Sequence, residues 1–160
     1  MCAGVFSIID YCNSLYFGIQ ERLLNKLQSV QNAAVNLLRK KGGCLDVTTK
    51  EYIRKYHWLR VWERIIYKMC LLMHKAIKGV GPAWMQGLVA YNISERTLKL
   101  VQLPFLSKFG RRSFSRTGPR LWNLLPASVK NTDDTIAFKK GLKTFLFDGS
   151  DGLMKKLYEC

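Results

Sequence analysis

The sequence predicts a mainly α-helical chain: one helical domain over residues 1–148, a small β-hairpin insertion around residues 97–116, and a frayed tail at 149–160. Three observations carry that prediction. Two long segments, 20–40 and 61–78, set apolar residues at helical spacing and end at glycines. A third segment, 134–147, repeats the pattern near the C-terminus. Only the stretch after Asn92 changes texture, with polar and apolar residues in alternation.

In chain order, the apolar segment 5–17 ends at Gly18 and predicts a short helix antiparallel to the next one. In QERLLNKLQSVQNAAVNLLRK (20–40), Leu23, Leu27, Val30, Ala34 and Leu37 form an amphipathic stripe, with Leu24 and Leu38 beside it. Glu21 near its start and Arg39, Lys40 and Lys41 at its end suit the helix dipole, and Gly42-Gly43 stops it. Thr49 with Tyr52 and Ile53 predicts a short capped helix leading into His57-Trp58-Leu59. Residues 61–78 turn a broad apolar face inward through Val61, Ile65, Met69, Leu72 and Ala76, flanked by Ile66, Met73 and Ile77. Gly79 and Gly81 end that helix, and Pro82 opens a further one reaching about Ala90. Leu98, Leu100, Gln102, Phe109, Ser113 and Ser115 give the alternation of the expected hairpin. The last helix buries Ile136, Phe138, Leu142, Phe145 and Leu146. No internal repeat and no linker between two cores is visible.

Composition narrows the partners. Lys and Arg number 26 against 11 Asp and Glu, for a net charge of +15. Such a surface attracts polyanions over a Debye length of about 8 Å. Nucleic acid is the first partner that this implies, RNA or DNA, with an acidic membrane surface second. No apolar run is long enough to span a bilayer, and MCAGVFSIIDYC lacks the basic start of a signal peptide. The five cysteines are widely spaced, without a Cys-x-x-Cys pair, which favours a reducing compartment over a disulfide framework. An intracellular location follows, cytoplasmic or nuclear and not secreted. RKK (39–41) and RR (111–112) are too short to read as a nuclear signal.

The residues with catalytic chemistry do not assemble into a motif. Asp133-Asp134 follows Asn131-Thr132 and precedes an amphipathic run, which reads as a helix cap and not as a magnesium pair. Cys70 and His74 lie one helical turn apart, but two ligands do not make a zinc site, and His57 supplies no fourth. Cys44 has no His base nearby in sequence. No phosphate loop and no dinucleotide glycine pattern occur. No cofactor and no metal are expected. The basic segment is different. In KFGRRSFSRTGPRLW (108–122), cations interleave with aromatic and hydroxyl residues, a composition that neutralises phosphates and stacks on bases. Lys99, Lys108, Arg111, Arg112, Arg116 and Arg120 are the candidate contacts, while Phe109, Phe114 and Trp122 read first as core. Gly118-Pro119 is expected to end a strand and open a short helical turn with Leu121, Trp122 and Leu125 inward, stopped by Pro126.

Five blocks in order, DYCNSLYFGI (10–19), LNKLQSVQNAAVNLL (24–38), YHWLRVWERIIYKMCLLMHKAIKG (56–79), FGRRSFSRTGPRLWNLLP (109–126) and FKKGLKTFLF (138–147), resemble the region following the catalytic palm in reverse transcriptases of non-LTR (LINE-type, jockey-like) retrotransposons. The similarity covers about residues 9–148. It implies a palm with paired catalytic aspartates upstream of Asp10, so no polymerase residue carries over, and no endonuclease domain has a counterpart here. Reverse transcription by this chain alone is therefore not expected. The resemblance also implies a role for this region in holding template RNA or target DNA. A proline is usual in that family where Arg60 stands. The expectation is a non-catalytic nucleic-acid-binding fragment of an RNA-directed DNA polymerase. Two other readings stand beside it: a helical structural or interaction module, whose residues 5–40 meet upstream reverse-transcriptase domains or a second copy, and a retroelement relic without selected function.

Overall fold

The computed structural model describes residues 2–43, 46–87, 89, 99–101, 104, 107 and 110–158. Eight α-helices are formed among them: α1 (Cys2–Asp10), α2 (Glu21–Lys41), α3 (Thr49–Lys55), α4 (Val61–Ile77), α5 (Ala83–Gln86), α6 (Phe114–Leu124), α7 (Ala127–Lys130) and α8 (Thr135–Tyr158). No β-strand occurs among the described residues. The chain divides into two compact units, Met1–Ile65 and Ile66–Cys160.

In the first unit, the expected helix over 5–17 is broken. Cys12 takes a left-handed conformation (φ 50°) after α1, and Asn13–Tyr16 continue as a separate 3₁₀ turn. Helix α2 ends as its sequence suggests, with Gly42 donating to the Leu38 carbonyl and Gly43 at φ 69°. Its inward face differs from the expected stripe. Leu24, Gln31, Ala34 and Val35 are buried, whereas Leu23, Val30 and Leu37 are exposed. The reason is polar: Gln31 donates from Nε2 to the Leu59 carbonyl (2.9 Å), and Gln28 Oε1 accepts from the Val61 amide (3.0 Å). Those bonds satisfy backbone groups beside the start of α4, so the helix is rotated to present its glutamines. Val35 then packs with Tyr52 and Ile53, edged by Phe6, Leu38, Val47 and Trp58.

Helix α3 is capped by Thr48, one residue before the expected Thr49, and Glu51 completes the capping box. At α4, Arg60 occupies the position before the first turn, and its amide donates to Glu63 Oε2 (2.7 Å). A proline there would have no N–H to give and would forfeit this bond. Arg64 grips both carboxylate oxygens of Asp10, with Nε to Oδ1 at 2.7 Å, and lies 5.1 Å above the Phe6 ring.

The second unit is built around α4, α6 and α8. Phe138, Leu142 and Leu146 lie four residues apart on α8 and are fully buried, while Ile136 falls off that row and is exposed. Met73, His74, Leu121 and Trp122 close the same core. His74 stacks on Phe138 with ring centroids 4.1 Å apart, and Trp122 lies 5.9 Å from Phe138. The expected Asp133-Asp134 cap is present: Asp134 accepts from the amides of Ile136 (3.1 Å) and Ala137 (3.0 Å). Asp133 pairs with Lys78. Helix α5 is shorter than expected, with Pro82 just outside it and Gln86 as its last residue.

The hairpin expected around residues 97–116 is not seen. Gly110–Arg112 form a 3₁₀ turn, and Phe114 starts α6. Residues 97–98, 102–103, 105–106 and 108–109 of that stretch lie outside the described residues. Gly118-Pro119 does not end a strand but lies inside α6, with both residues buried. Helix α8 runs on to Tyr158, through most of the segment expected as a frayed tail. Extending an existing helix costs far less than nucleating one, which carries it past Gly149 and Gly152.

Candidate nucleic-acid interface

Helix α6 carries the opposed faces that the basic segment needs. Thr117, Gly118, Leu121 and Trp122 point inward, followed by Leu125 just past the helix. Its start is held by Ser113, whose carbonyl accepts from the Arg116 and Thr117 amides and from Thr117 Oγ1 (2.9 Å). Ser113 Oγ donates to the Gly110 carbonyl (2.8 Å), which ties the preceding turn to the helix. Close approach needs Gly118: a Cβ there would sit 2.8 Å from Met73 Sδ.

The cations are placed by this frame. Arg112 is exposed in the 3₁₀ turn. Arg116 and Arg120 are half-buried and one helical turn apart, about 6 Å along the axis. Arg111 has its backbone in the same turn as Arg112, and Lys108 lies outside the described residues. Lys99 is exposed beside Leu100. Both backbone polar groups of Leu100 are clamped by Asn123 of α6: the Leu100 amide donates to Oδ1 and Asn123 Nδ2 donates to the Leu100 carbonyl, each at 2.9 Å. A fifth described cation joins them, Lys130, whose Nζ donates to the Asn123 carbonyl (3.2 Å). Desolvation by burial, with the Lys99 charge second, lowers the Lys130 pKa from its ordinary value. Lys130 is a lone cation between Val129 and Asn131 in the sequence, with nothing in its neighbours to single it out. Only the Asn123 clamp, which brings Lys99 and Lys130 to one end of α6, identifies it.

No acidic residue occurs from Lys99 to Thr132. Trp122 is buried and so does not offer its ring to bases; Phe114 is half-buried, and Phe109 lies outside the described residues.

Cys70 and His74 are both packed in the interior, His57 is exposed, and Cys44 lies outside the described residues. Cys70 is fully buried, and burial pushes its thiol up to about 12. Among the described residues no group of three or more metal-ligating side chains comes together. His74 Nε2 lies 3.2 Å from the Thr132 carbonyl, which can only accept, so the proton sits on Nε2. Nδ1 is buried without a partner among the described residues. Burial, the first cause, lowers the His74 pKa despite the opposing Thr132 bond. The sign follows. The unfolded chain takes up a proton near the ordinary value of 6.5, and the folded chain does so only lower. Stability is therefore present above 6.5 and falls as pH drops through 6.5 toward the folded value, by at most about 1.4 kcal/mol per pH unit. Urea unfolding between pH 7 and 5 checks this, with a His74→Phe variant expected to lose the dependence. The lowered carboxylates Asp133, Asp134 and Glu51 act below that window.

No helix among the described residues is long and apolar enough to cross a membrane. No family model matches the chain, and neither a curated protein nor a solved structure does.

Proposed function

We propose that the chain is a non-catalytic nucleic-acid-binding module of the kind that follows the palm in non-LTR retrotransposon reverse transcriptases. One observation carries the binding reading. Within an acid-free stretch, α6 turns Leu121 and Trp122 inward while Arg112, Arg116, Arg120, Lys99 and Lys130 are set around it. Its partner is RNA or DNA, gripped through phosphates, with affinity that falls steeply as salt rises and depends little on sequence. The assignment to the retroelement family rests on the ordered sequence blocks.

Fluorescence anisotropy against an RNA hairpin, single-stranded RNA and duplex DNA at several salt concentrations tests the reading. Reversing Arg111 and Arg112 to Glu is expected to weaken binding to every probe and to flatten the salt slope by about 1 per residue. The double variant should keep the parent's far-UV spectrum. Unchanged affinity in that folded protein would remove the basis for this interface.

A further inference from the structure

We propose that the outward face of α2 docks an acidic amphipathic helix of a partner protein. Leu23, Val30 and Leu37 recur every seven residues along α2 and are 44%, 52% and 57% exposed. Residues at that interval form a nearly straight row, here about 21 Å long. The inward face of α2 is already satisfied by Leu24, Gln31, Ala34 and Val35, so the exposed row is a second apolar surface on the same helix.

Charge decides the occupant. Arg22, Lys26, Lys40 and Lys41 are exposed and lie within about 80° of Val30 around the helix. Glu21, the one acid of α2, falls about 180° from Val30. A second copy of the chain would set these four cations against their counterparts with no acid to offset them, on top of a net charge of +15 on each molecule. A nucleic acid would meet the cations but leave the aliphatic row in water. A helix with apolar residues at heptad spacing and Asp or Glu beside them covers the row and pairs with Lys26 and Lys40, as flanking charges do in coiled coils.

The test uses the full chain and three labelled synthetic peptides of about three heptads. The first has Leu at a and d with Glu at e and g, the second has Lys in place of Glu, and the third is an acidic scramble of the first. Anisotropy should show the first binding at least about tenfold more tightly than the others. Val30→Glu should cost about tenfold in that affinity. Lys26→Glu with Lys40→Glu should transfer the preference to the basic peptide. Leu23→Ser with Leu37→Ser serves as the second probe of the row if Val30→Glu alters the far-UV spectrum. The proposal is overturned if the scramble binds as well as the first peptide, because charge alone then suffices. It is equally overturned if the row variants leave binding unchanged, or if sedimentation velocity shows a dimer that Val30→Glu dissociates.

Discussion

Trp122→Ala is expected to destabilise the fold by about 3 kcal/mol, the lower part of the range for emptying a fully buried aromatic site. The ring is 1% exposed and sits 5.9 Å from Phe138 and 6.4 Å from His74, between α4 and α8. Its removal leaves a cavity walled by side chains that are themselves fully buried and have little room to collapse. One feature of the indole moderates the loss. Nε1 is buried with no hydrogen-bond partner among the described residues, a desolvation cost that alanine relieves. Trp122→Phe should therefore recover most of the stability. Urea unfolding followed by far-UV circular dichroism reads the difference, with Trp84→Ala as control. Trp84 is 67% exposed, and its replacement should shift stability by less than about 0.5 kcal/mol. If Trp122→Ala unfolds at the parent's urea midpoint, this ring does not anchor α6.

The same residue shows what the sequence makes legible. A tryptophan followed by leucines and a proline, in a run of arginines, already reads as an inward-facing device with a charged rim. The three longest helices are legible for the same reason: their apolar spacing is a local property, and α2 and α4, which also stop at glycines, begin and end within about a residue of expectation, whereas α8 runs past Gly149 and Gly152. What failed depended on partners far away in sequence. Leu23, Val30 and Leu37 compete with Leu24, Val35 and Leu38 for the inner side of α2, and both rows have helical spacing. The outcome is set by Gln31 and Gln28, whose bonds to Leu59 and Val61 no local pattern announces. The hairpin failed by the opposite route. Residues 109–115 alternate over too few positions to separate a strand from a helix start, and Gly118-Pro119 reads as a break. Inside α6, however, the glycine is needed for contact with Met73, and the packing gained there overrides the backbone's reluctance. For the basic surface, composition revealed the arginines, whereas Lys130 required the Asn123 clamp.

Gly118→Leu tests that override most sharply. Even a lone Cβ at this position meets Met73 Sδ at 2.8 Å and Phe114 Cε2 at 3.5 Å. Gly118→Ala should already destabilise by about 1 kcal/mol, because buried Met73 must shift and the helix-propensity gain of about 1 kcal/mol offsets only part of that cost. Leucine adds three more carbons where Met73 is fully buried and has nowhere to go. Overpacking of this kind costs about 3 kcal/mol, and the strain falls on the approach of α6 to α4. Met73→Ala alone also destabilises, by about 2–5 kcal/mol, because it opens a hole. Combined, the two changes should compensate, with a coupling energy of about 1–3 kcal/mol in the favourable direction. Additive losses would mean that Met73 is not what the glycine accommodates. The contact also reaches function under the proposed reading. Arg116 and Arg120 ride on α6, so Gly118→Leu should weaken RNA binding although it changes no charge, and Met73→Ala should restore part of it. Full affinity in a destabilised Gly118→Leu protein would show that the arginines act without the docked helix.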